Sequence, residues 1–101
     1  MHTRLQLDAY LRTILGSNNT YFQPPSSIQM QFPAIVYKLD SIEILPADNL
    51  PYLKAKRYQV IYISKNPDDP MVDTLLDVPY CRFVRHYSAD NLNHWVFNLY
   101  Y

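Results

Sequence analysis

A single glycine, Gly16, in 101 residues constrains what this chain can build. Glycine lets a backbone approach a phosphate closely or turn through positive φ without a side-chain clash. With only one, no phosphate-cradling loop of the P-loop or dinucleotide type can be written. The strained Gly-x-Ser-x-Gly turn that presents a nucleophilic serine is excluded on the same ground. The rest of the composition describes a self-sufficient fold. Apolar residues make up 49% and aromatics 15%, enough for a packed core in one domain spanning residues 1–101. Nine basic and nine acidic side chains cancel, so no large field steers the chain onto nucleic acid. Cys81 is the only cysteine, which rules out an intrachain disulfide and fits a reducing compartment. The first sixteen residues carry Arg4, Asp8 and Arg12, unlike a secretory leader. No apolar run approaches the ~20 residues of a membrane helix, so a soluble protein is expected.

Along the chain, Leu7, Tyr10, Leu11 and Ile14 recur at helical spacing, with Leu15 widening the stripe. Thr3 is placed to cap this helix, and Gly16 to end it in the left-handed region. Residues 17–31 read as irregular around Pro24-Pro25, although Tyr21, Phe22, Ile28 and Met30 give the stretch something to pack. Strands are expected at 33–39, 58–64, 80–87 and 92–101, with a turn at Ser88-Ala89-Asp90-Asn91. Between the first two, residues 40–56 carry Pro46 and Pro51 and read as a long, partly extended hairpin excursion. A short helix follows Asp69 as cap and Pro70 at its first position, with Met71, Val72, Leu75 and Leu76 as its apolar face and Pro79 beyond its end. The expected fold is α+β, in the order α-β-β-α-β-β. A mostly antiparallel four-stranded sheet would be covered on one side by an N-terminal helix and a second short helix.

Strand alternation sorts the side chains into faces. Trp95, Phe97, Leu99 and Tyr101 share one face of the last strand. In the strand before it, Cys81, Phe83, Arg85 and Tyr87 oppose Arg82, Val84 and His86. The central pair is apolar on both faces: Tyr58, Val60 and Tyr62 against Ile61 and Ile63, and Val36 against Ile35, Tyr37 and Leu39. Two helices cover one such face. The other needs the 17–31 segment, the long hairpin or another subunit.

A search for chemistry yields no catalytic constellation, and no enzyme, cofactor or metal is expected. Cys81 falls on the apolar face and reads as a packed thiol rather than a nucleophile. His86, Asp90 and His94 are evenly spaced, but across a hairpin their meeting depends on the loop. Three loop residues would bring the two histidines face to face, and two would part them. Asp68 and Asp69 are explained by the helix start they precede. Lys54, Lys56 and Arg57 form a small basic group, read either as a solvated edge or, in a ring, as the lining of a channel for DNA.

Several segments resemble a known family. Tyr21-Phe22-Gln23-Pro24-Pro25 ahead of Phe32-Pro33-Ala34-Ile35-Val36-Tyr37 looks like the opening of small tail-completion, or tail terminator, proteins of tailed bacteriophages. So do Lys56-Arg57-Tyr58, Asn66-Pro67-Asp68 and Arg85-His86-Tyr87. The closing Ala89-Asp90-Asn91-Leu92-Asn93-His94, with Phe97 and Leu99-Tyr100-Tyr101, is the most specific part. The likeness runs from about Tyr21 to the end, and the N-terminal helix is generic. It implies a structural virion protein, assembled in the host cytoplasm, that forms a homohexameric ring on the head-proximal end of the tail tube. Its partners would be further copies of itself, the tail tube protein and the head connector or neck protein, with passing contact to DNA and none to a membrane. A head-closure or neck adaptor is the neighbouring reading, and an unrelated α+β binding module the distant one. The implied subunit and tube contacts fall on the 21–30 segment with Tyr21 and Phe22, the 40–56 hairpin with Ile44, Leu45 and Tyr52, and the terminal Tyr100 and Tyr101.

Overall fold

The computed structural model describes residues 4–24, 29–45 and 53–101, with the strand residues 43–45 and 53–55 described by backbone alone. The helical stripe forms α1 (Arg4–Leu15), which buries Leu7 and Leu11 and packs Tyr10, Ile14 and Leu15 beside them. Gly16 follows at φ +76°, and its N–H donates to the Arg12 carbonyl at 2.8 Å to close the last turn. The cap expected at Thr3 lies outside the described residues.

The expectation of four strands is corrected by a fifth. Thr20–Phe22 forms β1, inside the stretch read as irregular, and pairs in parallel with β2 (Ala34–Leu45). Asn19 O accepts from Ile35 N–H and Tyr37 O from Gln23 N–H, which pins the register at both ends. A parallel neighbour requires a crossover of about a dozen residues, and the proline-bearing stretch between β1 and β2 provides that length. β3 (Leu53–Ser64), β4 (Cys81–Ala89) and β5 (Leu92–Tyr100) complete a mixed sheet in the order β1-β2-β3-β5-β4. The short helix is α2 (Met71–Leu76).

Three details decide where side chains point. First, β2 and β3 each run for 12 residues, so the 40–56 excursion is largely a continuation of their ladder, interrupted by a bulge at Asp40. Second, Asp90 and Asn91 both take positive φ (53° and 62°), and Ala89 pairs with Leu92 across them. The loop therefore has two residues, and His86 lies opposite Trp95 while His94 lies opposite Tyr87. Third, the β4–β5 register slips between Phe83 and Arg85, leaving Val84 as a bulge. Beyond it the faces exchange: His86 joins the face of Cys81 and Phe83, and Arg85 and Tyr87 move to the face of Arg82. Simple alternation had them reversed.

Both helices lie on one face of the sheet. Leu7, Leu11, Leu75 and Val78 pack there on Ile35, Tyr37, Tyr58, Val60, Tyr62, Trp95, Phe97 and Leu99. Leu76, expected on the apolar side of α2, is 46% exposed and points away. Two aspartates fasten this layer to the sheet. Asp8 of α1 accepts from the Tyr37 hydroxyl (2.7 Å) and the Thr20 hydroxyl (3.0 Å), and pairs with Arg12 at 2.9 Å. Asp69 accepts from Tyr62 and Ser64 hydroxyls, each at 2.7 Å, and from Met71 N–H at 2.9 Å. Pro70 has helical angles, so Asp69 caps α2 as its sequence position implied.

Candidate functional site

Because β5 pairs with β3 only from Arg57 onward, and β1 meets β2 only at 35–37, the outer parts of β2 and β3 pair solely with each other. Residues 41–45 and 53–56 thus form a two-stranded arm projecting past the sheet. Ile44 and Leu45 lie on it opposite Lys54 and Leu53. The side chains of Ile44, Leu45 and Lys54 are outside the described residues, as is Tyr52 altogether.

The arm is anchored where it leaves the sheet. Arg57 Nε donates to Asp40 Oδ2 at 2.8 Å, across the bulge. A hydrogen bond with Tyr100, and then the Asp40 carboxylate, push the Arg57 guanidinium pKa above its ordinary value. Tyr101 N–H donates to the Lys56 carbonyl at 3.1 Å, and its ring stacks on Tyr10 of α1 at 5.5 Å. Tyr100 and Tyr101, half-buried at the chain's end, brace the root of the arm. Phe22 is half-buried against the core, 5.2 Å from the Tyr37 ring and with the Arg4 guanidinium 4.6 Å above it. Tyr21 faces the other side of the sheet, and its hydroxyl accepts from Gln31 N–H at 3.1 Å. Of the basic trio, Arg57 is neutralised by Asp40, and Lys56 is half-buried at the root of the arm.

No helix or strand among the described residues packs on the second sheet face. Reading the registers across it gives three rows. Lys38, Gln59, Asn98 and Arg82 form the first; Tyr21, Val36, Ile61, Val96 and Arg85 the second; Ala34, Ile63, His94 and Tyr87 the third. The apolar centre is less naked than the sequence implied. Ala34, Ile63 and Val96 are 0%, 4% and 1% exposed within the single chain, and Val36 and Ile61 are half-buried. What remains open is a depression of about 160 Å³ lined by Gln23, Val36, Tyr37, Lys38, Gln59 and Ile61. That is smaller than the 300–1,000 Å³ typical of cofactor pockets, and suited to one protruding side chain.

Several titratable groups of the core are held by hydrogen bonds or burial. Burial, then the Asp8 hydrogen bond, pushes the Tyr37 hydroxyl up to about 12, and burial, then the Asp69 hydrogen bond, also raises the Tyr62 hydroxyl above its ordinary value. Burial opposes ionisation of Asp69, but its bonds from Met71 N–H, Ser64 and Tyr62 outweigh this and hold the carboxyl below its ordinary value. Burial raises the Cys81 thiol to about 11, so it stays protonated at neutral pH and is a poor nucleophile. His86 bonds Asn93 and His94 stacks on Tyr87, on opposite faces, so the pair does not converge on a metal. Among the described residues no group of three metal-ligating side chains forms, and no helix is long and apolar enough to cross a membrane. Neither a family model nor a curated protein matches this sequence.

Proposed function

We propose that this chain is a structural assembly protein of a tailed phage virion, forming a ring on the head-proximal end of the tail tube that stops tube growth and joins tail to head. The observation that carries this reading is the projecting arm. A lone two-stranded hairpin is marginal in water, so one held out beyond its sheet is built to be completed by another surface. Ring closure uses one heterologous contact repeated around an axis, and an arm reaching from each subunit onto the next or onto the tube supplies such a contact. Segments resembling tail-completion proteins lie around the base of this arm: 32–37 leading into β2, 56–58 on β3, and the terminal tyrosines at its root.

The test is a phage lacking this gene. Overlong or unjoined tails in electron micrographs are expected, whereas DNA-leaking heads beside normal free tails would move the assignment to a neck adaptor. At the protein level, replacing residues 41–56 with a two-residue Asn-Gly turn keeps the Asp40 and Arg57 flanks. It should leave a folded monomer that no longer forms rings on tubes. Rings of normal size from that variant would overturn the role of the arm.

A further inference from the structure

The two layers of the molecule carry opposite charges that their own chain leaves unmatched. On α2, Asp73, Leu76 and Asp77 fall at i, i+3 and i+4 and share the outward face, and the exposed Tyr80 follows three residues beyond Asp77. Neither aspartate meets a cation among the described residues. Asp77 also occupies the C-terminal end of the helix, where the macrodipole disfavours a negative charge, and no basic residue in the last turn offsets it. Tyr80 is 79% exposed although it holds φ +61°, a strained value for a bulky side chain that burial does not repay. On the opposite side of the sheet, Arg82 and Arg85 are exposed, and neither has an acid partner among the described residues. The Val84 bulge is what puts both on that face; regular alternation would send them to opposite sides. Arg85 is held over the Tyr87 ring at 5.8 Å, which is itself stacked on His94 at 4.6 Å. Lys38 terminates the same cross-strand row as Arg82, and the small depression opens between Lys38, Gln59 and Ile61.

We propose that copies of this chain associate head to tail, with the Asp73–Leu76–Asp77–Tyr80 ridge of one seated on the open sheet face of the next. Asp73 and Asp77 meet Arg82 and Arg85 on the edge strand, and Tyr80, beyond the helix end, reaches toward the depression beside Lys38. Because the ridge and its receptor lie on opposite layers, the contact is heterologous and can propagate around a ring. This deepens the ring reading and rests on it, since it names which surfaces meet. A net charge of zero favours this over a polyanion as occupant: the cations are matched by acids within the same molecule rather than in excess.

The test is a charge exchange followed by sedimentation velocity. One variant carries Arg82→Glu and Arg85→Glu, the other Asp73→Lys and Asp77→Lys, each checked for folding by circular dichroism. Each alone should self-associate about a hundredfold more weakly than the native chain, and an equimolar mixture should recover assembly, because each then offers what the other lacks. Tyr80→Gly relieves the strained φ, so it should keep or raise the melting temperature while weakening association. Assembly that survives either exchange overturns these surfaces while leaving a ring built through other contacts intact. A native chain that stays monomeric at the highest attainable concentration overturns the self-contact, and the tail phenotype of the gene deletion still judges the ring reading. A monomer that instead binds duplex DNA through Arg82 and Arg85, with a steep salt dependence, assigns the face to a polyanion and also overturns the proposal.

Discussion

Individual side chains here work mainly as fasteners, and their effects are separable. Gly16 was legible in the sequence as a helix stop, and its backbone shows why only the angle matters. A Cβ built there meets nothing within 4 Å, so Gly16→Ala should cost only the left-handed conformation, about 1 kcal/mol in urea denaturation. Gly16→Asn should cost less, because asparagine tolerates that region. Tyr37 and Tyr62 read in the sequence as core aromatics, and the hydroxyl partners that make them more than that could not be foreseen, since Asp8 and Tyr37 are 29 residues apart. Tyr37→Phe takes from Asp8 its shortest hydrogen bond and should destabilise by about 1–3 kcal/mol. The pH dependence follows from direction. The folded state raises the Tyr37 pKa from 10 to about 12, so its contribution is complete below pH 10 and is lost as pH rises toward 12. Asp69 is shifted the other way: its contribution is present above its unfolded value near pH ~4 and disappears as pH falls through the lower folded value. Thermal melts should show a shallower alkaline decline for Tyr37→Phe and a shallower acid decline for Asp69→Asn. Native slopes in both variants would show that these groups do not govern the limbs.

At the scale of elements, the two bulges determine what the strands present. Deleting Val84 removes the unpaired residue and leaves Phe83 opposite Phe97 and Arg85 opposite Val96, so every later β4 residue keeps its partner. This deletion should cost about 1 kcal/mol or less, since Val84 is itself 46% exposed. Deleting Gln59 from β3, which pairs without interruption to β5, would flip one half of a central strand and prevent folding. Amide spectra of the two deletion variants decide the point, and a collapsed spectrum for the Val84 deletion would show that the slip has been misplaced. The same contrast explains what sequence reading could and could not reach. Period-two alternation gave the faces of β3 and β5 correctly, because both are regular, and Tyr58, Val60, Tyr62, Trp95, Phe97 and Leu99 are all buried on one side. It failed beyond Val84, where nothing in Cys81-Arg82-Phe83-Val84-Arg85 signals a bulge. β1 was missed because three residues beside two prolines carry little periodicity, although Thr-Tyr-Phe are good strand formers. The turn expected at Ser88-Ala89-Asp90-Asn91 narrows to Asp90-Asn91, because Ser88 and Ala89 continue the ladder, and it is this two-residue length that separates the histidines.

For the molecule as a whole, one strand crosses two regimes of stability. From Arg57 to Ser64, β3 lies between β2 and β5 with its tyrosines under the helices, while from Leu53 to Ala55 it has β2 alone, Lys56 being held at the root by Tyr101 N–H. Opening the first part means breaking the core, and its amides should exchange only at the cost of global unfolding. Opening the arm breaks a ribbon whose only pairing is internal. Its resistance comes from the root, where Asp40, Arg57, Tyr100 and Tyr101 tie the arm to the last strand and to α1. Hydrogen exchange read by mass spectrometry on a dilute monomer should therefore show a step near Arg57, with 53–56 and 41–45 exchanging at least about a hundredfold faster than 58–63. If the arm is completed by a neighbouring subunit or by the tail tube, that step should shrink on assembly while protection of the core strands stays unchanged. Uniform protection along β3 in the monomer would mean that the arm is stable alone and needs no partner. Assembly through the arm would then have no physical basis, whatever the likeness of the flanking segments.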